Sequence, residues 1–289
     1  FSDALSTFRF ESGTWQEARL EQMPSRHFHA AVVLDGTLYA FGGKSNGYHC
    51  DLVAVELASG TATVHGPDGT RLWPIARYGH TAVAHGDAMY IYGGYDKDGF
   101  TCEGVYRYRP KRGRWNEVKT AAYQGTGSLA RFHHSAVVHG SSMLVFGGKR
   151  TDMQLEGSGL LEFHLLTRVW TELQTIGLAP TPRWGHCSAV SRGKMYIFGG
   201  NSGSNALVDL YEYDIASRTW AAVEVSWCPA PRYFSAAVDV DGHMHVFGGK
   251  SATHCFQDLY RVSIDGDGKK RKKKREKEKE KKEKKERGI

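Results

Sequence analysis

Apolar residues occur along this chain in short runs divided by turn residues. "HSAVV" (134–138) passes through the turn "HGSS" into "MLVF" (143–146), and the turns "LDGT" (34–37) and "HGDA" (85–88) divide similar pairs of runs. "LYEYDI" (210–215) alternates apolar and polar positions, and "TWAAV" (219–223) follows it after "ASR". Runs of this length, rich in Val, Phe and Tyr and bounded by Gly, Asp and Ser, predict β-strands joined by tight turns. Nothing over residues 1–264 carries the 3.6-residue period of a long amphipathic helix. The pattern predicts an all-β chain.

The runs recur as a unit. "RHFHAAVVLDGTLYAFGGK" begins at Arg26, "RYGHTAVAHGDAMYIYGGY" at Arg77, "RFHHSAVVHGSSMLVFGGK" at Arg131, "RWGHCSAVSRGKMYIFGGN" at Arg183 and "RYFSAAVDVDGHMHVFGGK" at Arg232. Their glycine pairs start at 42, 93, 147, 199 and 248, so the steps are 51, 54, 52 and 49 residues. Each pair is followed by an alternating segment, with Trp115, Trp170 and Trp220 at matching places and Val64 in the first unit.

A period near 50 with a paired glycine resembles the kelch repeat, and the resemblance covers essentially residues 5–264. Within that family, "ARFHHSAVVHGSSMLVFGG" (130–148) is most similar to the leucine-zipper-like regulator branch. The resemblance implies a β-propeller of four-stranded antiparallel blades. Blades then start at Arg26, Arg77, Arg131, Arg183 and Arg232, and residues 1–20 form an N-terminal half-blade with only a third and a fourth strand. The last blade has three strands, which suits a six-bladed parent that is incomplete here. The alternative is a five-bladed ring closed by the strand around Trp15. The propeller is expected to occupy 1–264 and a charged low-complexity tail 265–289.

Charge separates the same two parts. Residues 269–289 hold 14 Lys or Arg and 5 Glu, while the rest of the chain is close to neutral. In the tail, "KKRKKKR" (269–275) is a candidate nuclear-localisation or polyanion-binding run, although it has no interleaved aromatic for base stacking. The odd number of cysteines, 5, argues against a disulfide framework. Small buried thiols in a reducing compartment are expected instead, and hence a cytoplasmic protein with nuclear entry through the tail. No run of 18 apolar residues is present to span a membrane.

Four histidines recur in register, His29, His80, His134 and His186, with Ser235 in the fifth unit. Equivalent positions on neighbouring blades lie on the order of 10 Å apart, too far for one ion with Zn–N bonds of ~2.0–2.1 Å. A structural role is expected, with each imidazole bonded inside its own blade. No metal site or cofactor is expected. The recurring Arg26, Arg77, Arg131, Arg183 and Arg232 have two readings: bonds to carbonyls of adjacent loops, or an anion-binding ring at one end of the channel. The iron-binding Glu-x3-Asp-x3-His pattern of nitrile-specifier-type kelch proteins does not occur, nor does a nucleophile elbow or a phosphate-binding loop. A metal-dependent or oxidative enzyme built on the propeller is the rival to a non-catalytic role.

Binding is sought where the repeat symmetry breaks. The loops between second and third strands and those joining blades emerge on one face. Tyr48, Arg71, Trp73, Tyr95, Phe100, Tyr123, Arg150 and Trp227 are its candidates, since aromatic residues and Arg anchor interfaces. The expected function is a protein-interaction module for a protein or peptide partner of acidic or mixed character. The resemblance implies a finer form, a substrate adaptor of a cullin-RING ubiquitin ligase, and a trafficking or cytoskeletal scaffold is its rival of the same class.

Overall fold

The computed structural model describes residues 4–19, 24–225 and 229–264, so Trp227 and the charged tail lie outside the described residues. Five antiparallel sheets form the blades. Blade 1 comprises Ala30–Leu34, Thr37–Phe41, Leu52–Glu56 and Ala62–His65. Blade 2 comprises Thr81–His85, Ala88–Tyr92, Val105–Arg109 and Arg114–Glu117. Blade 3 has Ser135–His139, Ser142–Phe146, Leu160–His164 and Val169–Leu173. Blade 4 has Cys187–Ser191, Lys194–Phe198, Leu210–Asp214 and Thr219–Ala222. Blade 5 has three described strands, Ala236–Val240, His243–Phe247 and Leu259–Ser263. In each blade consecutive strands are neighbours, and the first strands of successive blades adjoin one another around the axis. Among the described residues no helix is long and apolar enough to cross a membrane.

Aromatic residues seal the blade interfaces. Trp115, Trp170 and Trp220 are at most 2% exposed. Each sits on a fourth strand opposite an aromatic of the third, in the register Tyr108↔Trp115, Phe163↔Trp170 and Tyr213↔Trp220. Each also meets the aromatic that ends the second strand of the preceding blade: Phe41–Trp115 at 5.0 Å, Tyr92–Trp170 at 4.7 Å and Phe146–Trp220 at 5.5 Å between centroids. Such contacts combine large apolar burial with favourable ring geometry.

The glycine pair and the arginine interlock at every seam. Gly147 has φ +64, and a Cβ there would lie 2.4 Å from the Arg183 carbonyl oxygen, so only glycine fits. Gly148 N–H donates to that same oxygen at 2.9 Å. The Arg183 guanidinium turns back into its own blade, where Nη1 donates to Gly199 O at 3.0 Å. The same guanidinium-to-glycine bond forms in all five units. Arg26, Arg183 and Arg232 are in addition paired with Asp51, Asp209 and Asp258. These arginines are at most 7% exposed, and no open guanidinium ring forms at the mouth of the channel.

The histidines depart from expectation, because they bond across the seams. His134 Nε2 pairs with Thr81 Oγ1 of blade 2 at 2.8 Å, and His186 Nε2 with Ser135 Oγ of blade 3 at 2.8 Å. The hydroxyl sits one residue after the preceding blade's own histidine. Burial, reinforced by the neighbouring Arg183, holds His186 down at about 3, and burial likewise lowers His80 and His134.

The N-terminal hairpin, Ala4–Arg9 with Thr14–Arg19, forms a separate two-stranded sheet. Its register, Phe8↔Trp15, is that of a third and a fourth strand. Trp15 meets Phe247 and Phe10 meets His245 of blade 5, while Leu5 packs on Ala40, Val53 and Val55 of blade 1. The hairpin thus stands between blades 5 and 1. Five blades are therefore described, and among the described residues the Trp15 strand meets blade 5 through ring contacts rather than as its hydrogen-bonded fourth strand. The four cysteines among the described residues also differ from expectation: Cys102 and Cys187 are buried, Cys50 is half-buried and Cys255 is exposed, all as free thiols.

Candidate functional site

One end of the axis is built from the residues that follow each recurring arginine. The second residue after it is Phe28, Gly79, His133, Gly185 or Phe234, and all five have positive φ between 55 and 65. This left-handed turn aims each backbone at the axis. A chain of hydrogen bonds links them: Gly79 N–H to Phe28 O, His133 N–H to Gly79 O, Gly185 N–H to His133 O and Phe234 N–H to Gly185 O, at 2.6–2.9 Å. Phe28, His133 and Phe234 then close over the centre, with centroids 4.4–4.9 Å apart. Burial, with Lys149 and Lys44 adding to it, holds His133 at about 3, so its imidazole is neutral at ordinary pH.

Around this plug lies a second ring, from the residue immediately after each arginine: His27, Tyr78, Phe132, Trp184 and Tyr233. Each is bridged antiparallel to the residue after the glycine pair, namely Lys44, Tyr95, Lys149, Asn201 and Lys250. The lysines lie over the rings, Lys44 at 4.5 Å from the Tyr78 centroid, Lys149 at 4.1 Å from Trp184 and Lys250 at 5.4 Å from Tyr233. Among the described residues none of the three pairs with a carboxylate. Lys149 is partly desolvated, which lowers its pKa. Tyr78 is pushed up to about 12 by burial beside Tyr48 and Tyr95. The result is an aromatic, cationic surface whose ammonium groups can hold anionic groups beside the positive ring edges.

Of the candidates read from the sequence, the structure brings Tyr48 and Tyr95 to this surface, each against Tyr78 at 5.5 and 5.7 Å. Phe100 is exposed in the loop beside Tyr95. Arg150 sits in the neighbouring loop, where its guanidinium is paired with Asp152 and Gln154. Three others are not brought there. Trp73 packs against Trp115 and donates to Cys50 O, Tyr123 lies on an added outer strand of blade 3, and Arg71 lines a cavity beside blade 2. The aromatic ring and its lysines do not stand out in the sequence, because they recur with the repeat and so look like architecture. The signal was present: an aromatic residue or histidine follows every one of the five arginines.

No group of three His, Cys, Asp or Glu side chains that could hold a metal ion occurs among the described residues. Comparison with known proteins fits the fold. The family model described as the Attractin/LZTR1 beta-propeller matches residues 47–263. The leucine-zipper-like transcriptional regulator 1 homolog of Drosophila melanogaster is 32% identical over 189 residues, covering 61% of this chain and 19% of that protein. Acyl-CoA-binding domain-containing protein 4 of Arabidopsis thaliana is 29% identical over 212 residues, 68% of this chain and 30% of the relative. Human Kelch domain-containing protein 3 is 27% identical over 210 residues, 69% and 54% respectively. The matched region thus spans from about a fifth to about half of these relatives.

Proposed function

The chain belongs to the Attractin/LZTR1 β-propeller family, and on that footing we propose that it is a non-catalytic interaction module which binds a protein partner at the aromatic–lysine end of its axis. The observation that carries this reading is the set of three lysines held over Tyr78, Trp184 and Tyr233, without carboxylate partners among the described residues. Lysines so placed favour a peptide with acidic side chains, while the rings offer the apolar anchors that concentrate binding energy. The buried arginines beneath them hold the loops and stay out of contact with the partner.

The adaptor role in a cullin-RING ligase is the finer form of this proposal; a trafficking or cytoskeletal scaffold is the other. Affinity capture followed by titration of the recovered partner tests the coarser reading. A Lys149→Glu, Trp184→Ala protein with an unchanged melting temperature is expected to bind that partner at least tenfold more weakly. If it binds like the unaltered protein, the surface is wrong. Recovery of a cullin-RING subunit with the unaltered protein separates the adaptor from the scaffold.

A further inference from the structure

The outer edges of the blades are not alike. In blades 3 and 4 the incoming linker adds a short parallel strand, Ala122–Gln124 on Val169–Leu173 and Ile176–Gly177 on Thr219–Ala222. Ala121 N–H donates to Arg168 O at 2.8 Å and Ile176 N–H to Arg218 O at 3.0 Å. The linker into blade 2, residues 66–76, forms no such strand. Pro67 and Pro74 bring no N–H. The Asp68 carboxylate takes the N–H groups of Thr70 at 2.9 Å and Arg71 at 3.2 Å, folding the segment into a local turn. Gly113 has φ 55 and is the equivalent of Arg168 and Arg218, with φ 62 and 57. No linker N–H reaches its carbonyl. Between the linker and Arg114–Glu117 lies a cavity of about 630 Å³, lined by Arg71, Leu72, Arg112, Arg114, Trp115 and Asn116.

The charge at this edge is one-sided. Arg109 is near Asp87 and Lys111 near Asp35, but Arg71, Arg112 and Arg114 have no carboxylate partner among the described residues. Asp68 is close enough to feel Arg71, but its Oδ1 accepts from Thr70 and from the Arg71 backbone N–H, and it forms no ion pair with the Arg71 guanidinium among the described residues. Glu117 is out of alternation with Arg114 and Asn116, so it points to the other face of the strand. The exposed Leu72 lies beside the arginines. An open strand edge is a template for another chain, and guanidiniums in a group recognise carboxylates by paired donors.

We propose that the outer edge of blade 2 is a strand-addition site for an extended acidic peptide. The peptide runs parallel to Arg114–Glu117, in the place that the linker takes in blades 3 and 4. Its carboxylates meet Arg71, Arg112 and Arg114, and an alternate apolar side chain covers Leu72. Main-chain pairing supplies affinity and the arginines supply selectivity, as in other strand-addition complexes. A nucleic acid would satisfy the arginines but not the backbone edge. The site is separate from the axial surface and does not depend on it.

The test uses the full chain and a fluorescent peptide of alternating Glu and Val, read by anisotropy. Two isomers are prepared with the same charge, one N-methylated at every Glu and the other at every Val. In an extended strand these methyls block opposite edges. Strand addition predicts that one isomer loses at least tenfold in affinity while the other binds nearly as the parent. The triple variant Arg71→Ala, Arg112→Ala, Arg114→Ala, all at exposed positions, is expected to lose at least tenfold for the parent peptide with its melting temperature unchanged. Equal behaviour of the two isomers overturns the proposal, since attraction by the charged tail would treat them alike. So does unchanged affinity of the triple variant, or a triple variant that loses only a thymidine oligonucleotide and not the peptide.

Discussion

Trp15 stacks on Phe247 at 4.9 Å between ring centroids, although no sheet joins their strands. The contact repeats the Tyr92–Trp170 packing of a complete seam at 4.7 Å. Trp170 is fully buried and Trp15 is 46% exposed, so the two rings should differ in what they hold. Trp170→Ala is expected to cost about 3–5 kcal/mol, in the range for large core truncations. Trp15→Ala should cost less than half as much. Urea titrations of both variants check this. Equal losses would mean that the hairpin holds the seam shut as firmly as a full blade does.

Gly147 and Gly140 make a paired test of the seam. Both have left-handed φ, at 64 and 58, but a Cβ at Gly140 meets nothing within 4 Å while one at Gly147 strikes the Arg183 carbonyl at 2.4 Å. Gly140→Ala should cost about 1 kcal/mol, the conformational penalty alone. Gly147→Ala should cost several times that or prevent folding, because the clash is with backbone that is itself bonded to Gly148. Similar midpoints for the two variants would show that the seam yields.

The five-fold "R…GG" spacing made the blades legible, because strand period and turn residues are local properties that repetition amplifies. The N-terminal hairpin was legible too, since Phe8 and Trp15 copy the spacing of Tyr108 and Trp115 and pair in the same register. What the sequence could not supply was contact between repeats. Thr81 looks like an ordinary strand residue until the structure sets it against His134, 53 positions away. The axial surface was hidden for a related reason: Tyr78, Trp184 and Lys149 are each unremarkable in their own repeat and meet only when the blades close round the axis. Arg71 and Trp73 fell on a long linker, and nothing local says that this linker turns along the outside of the ring.

The histidine–hydroxyl pairs leave one vacancy. His134 and His186 find Thr81 and Ser135, but the position that would serve His80 is Ala30, which carries no hydroxyl and leaves His80 with the Phe41 backbone alone. Ala30→Ser should therefore stabilise the protein, by about 1 kcal/mol, the ordinary net value of one hydrogen bond. Ser135→Ala should do the opposite, costing about 1–3 kcal/mol by stranding His186. Chemical denaturation of the two variants reads both signs. A loss of stability in Ala30→Ser would show that a hydroxyl does not fit at this seam.

These buried imidazoles also set a pH dependence. His186 is held at about 3 by burial and by Arg183, against 6.5 when the chain is unfolded. Between those values the unfolded chain binds the proton and the folded chain does not. The stability from keeping the ring neutral is therefore complete above pH 6.5 and is lost as pH falls toward 3. At pH 5 the loss from His186 alone is about 2 kcal/mol, at about 1.4 kcal/mol per unit of separation. His80 and His134 are lowered by burial in the same way and add in the same direction. Asp258, lowered by its bond to Arg232, acts only further down, below its ordinary 3.8. Urea midpoints should thus fall between pH 7 and 5, where Asp258 does not yet contribute and the carboxyl of Glu156, raised by burial, offsets only part of the loss at the lower end, and unfolding at pH 5 should take up protons. A flat midpoint over that interval, or buried histidine ring signals that titrate near pH 6.5 in the folded protein, would show that the seams open to water and that these rings are not sealed between the blades.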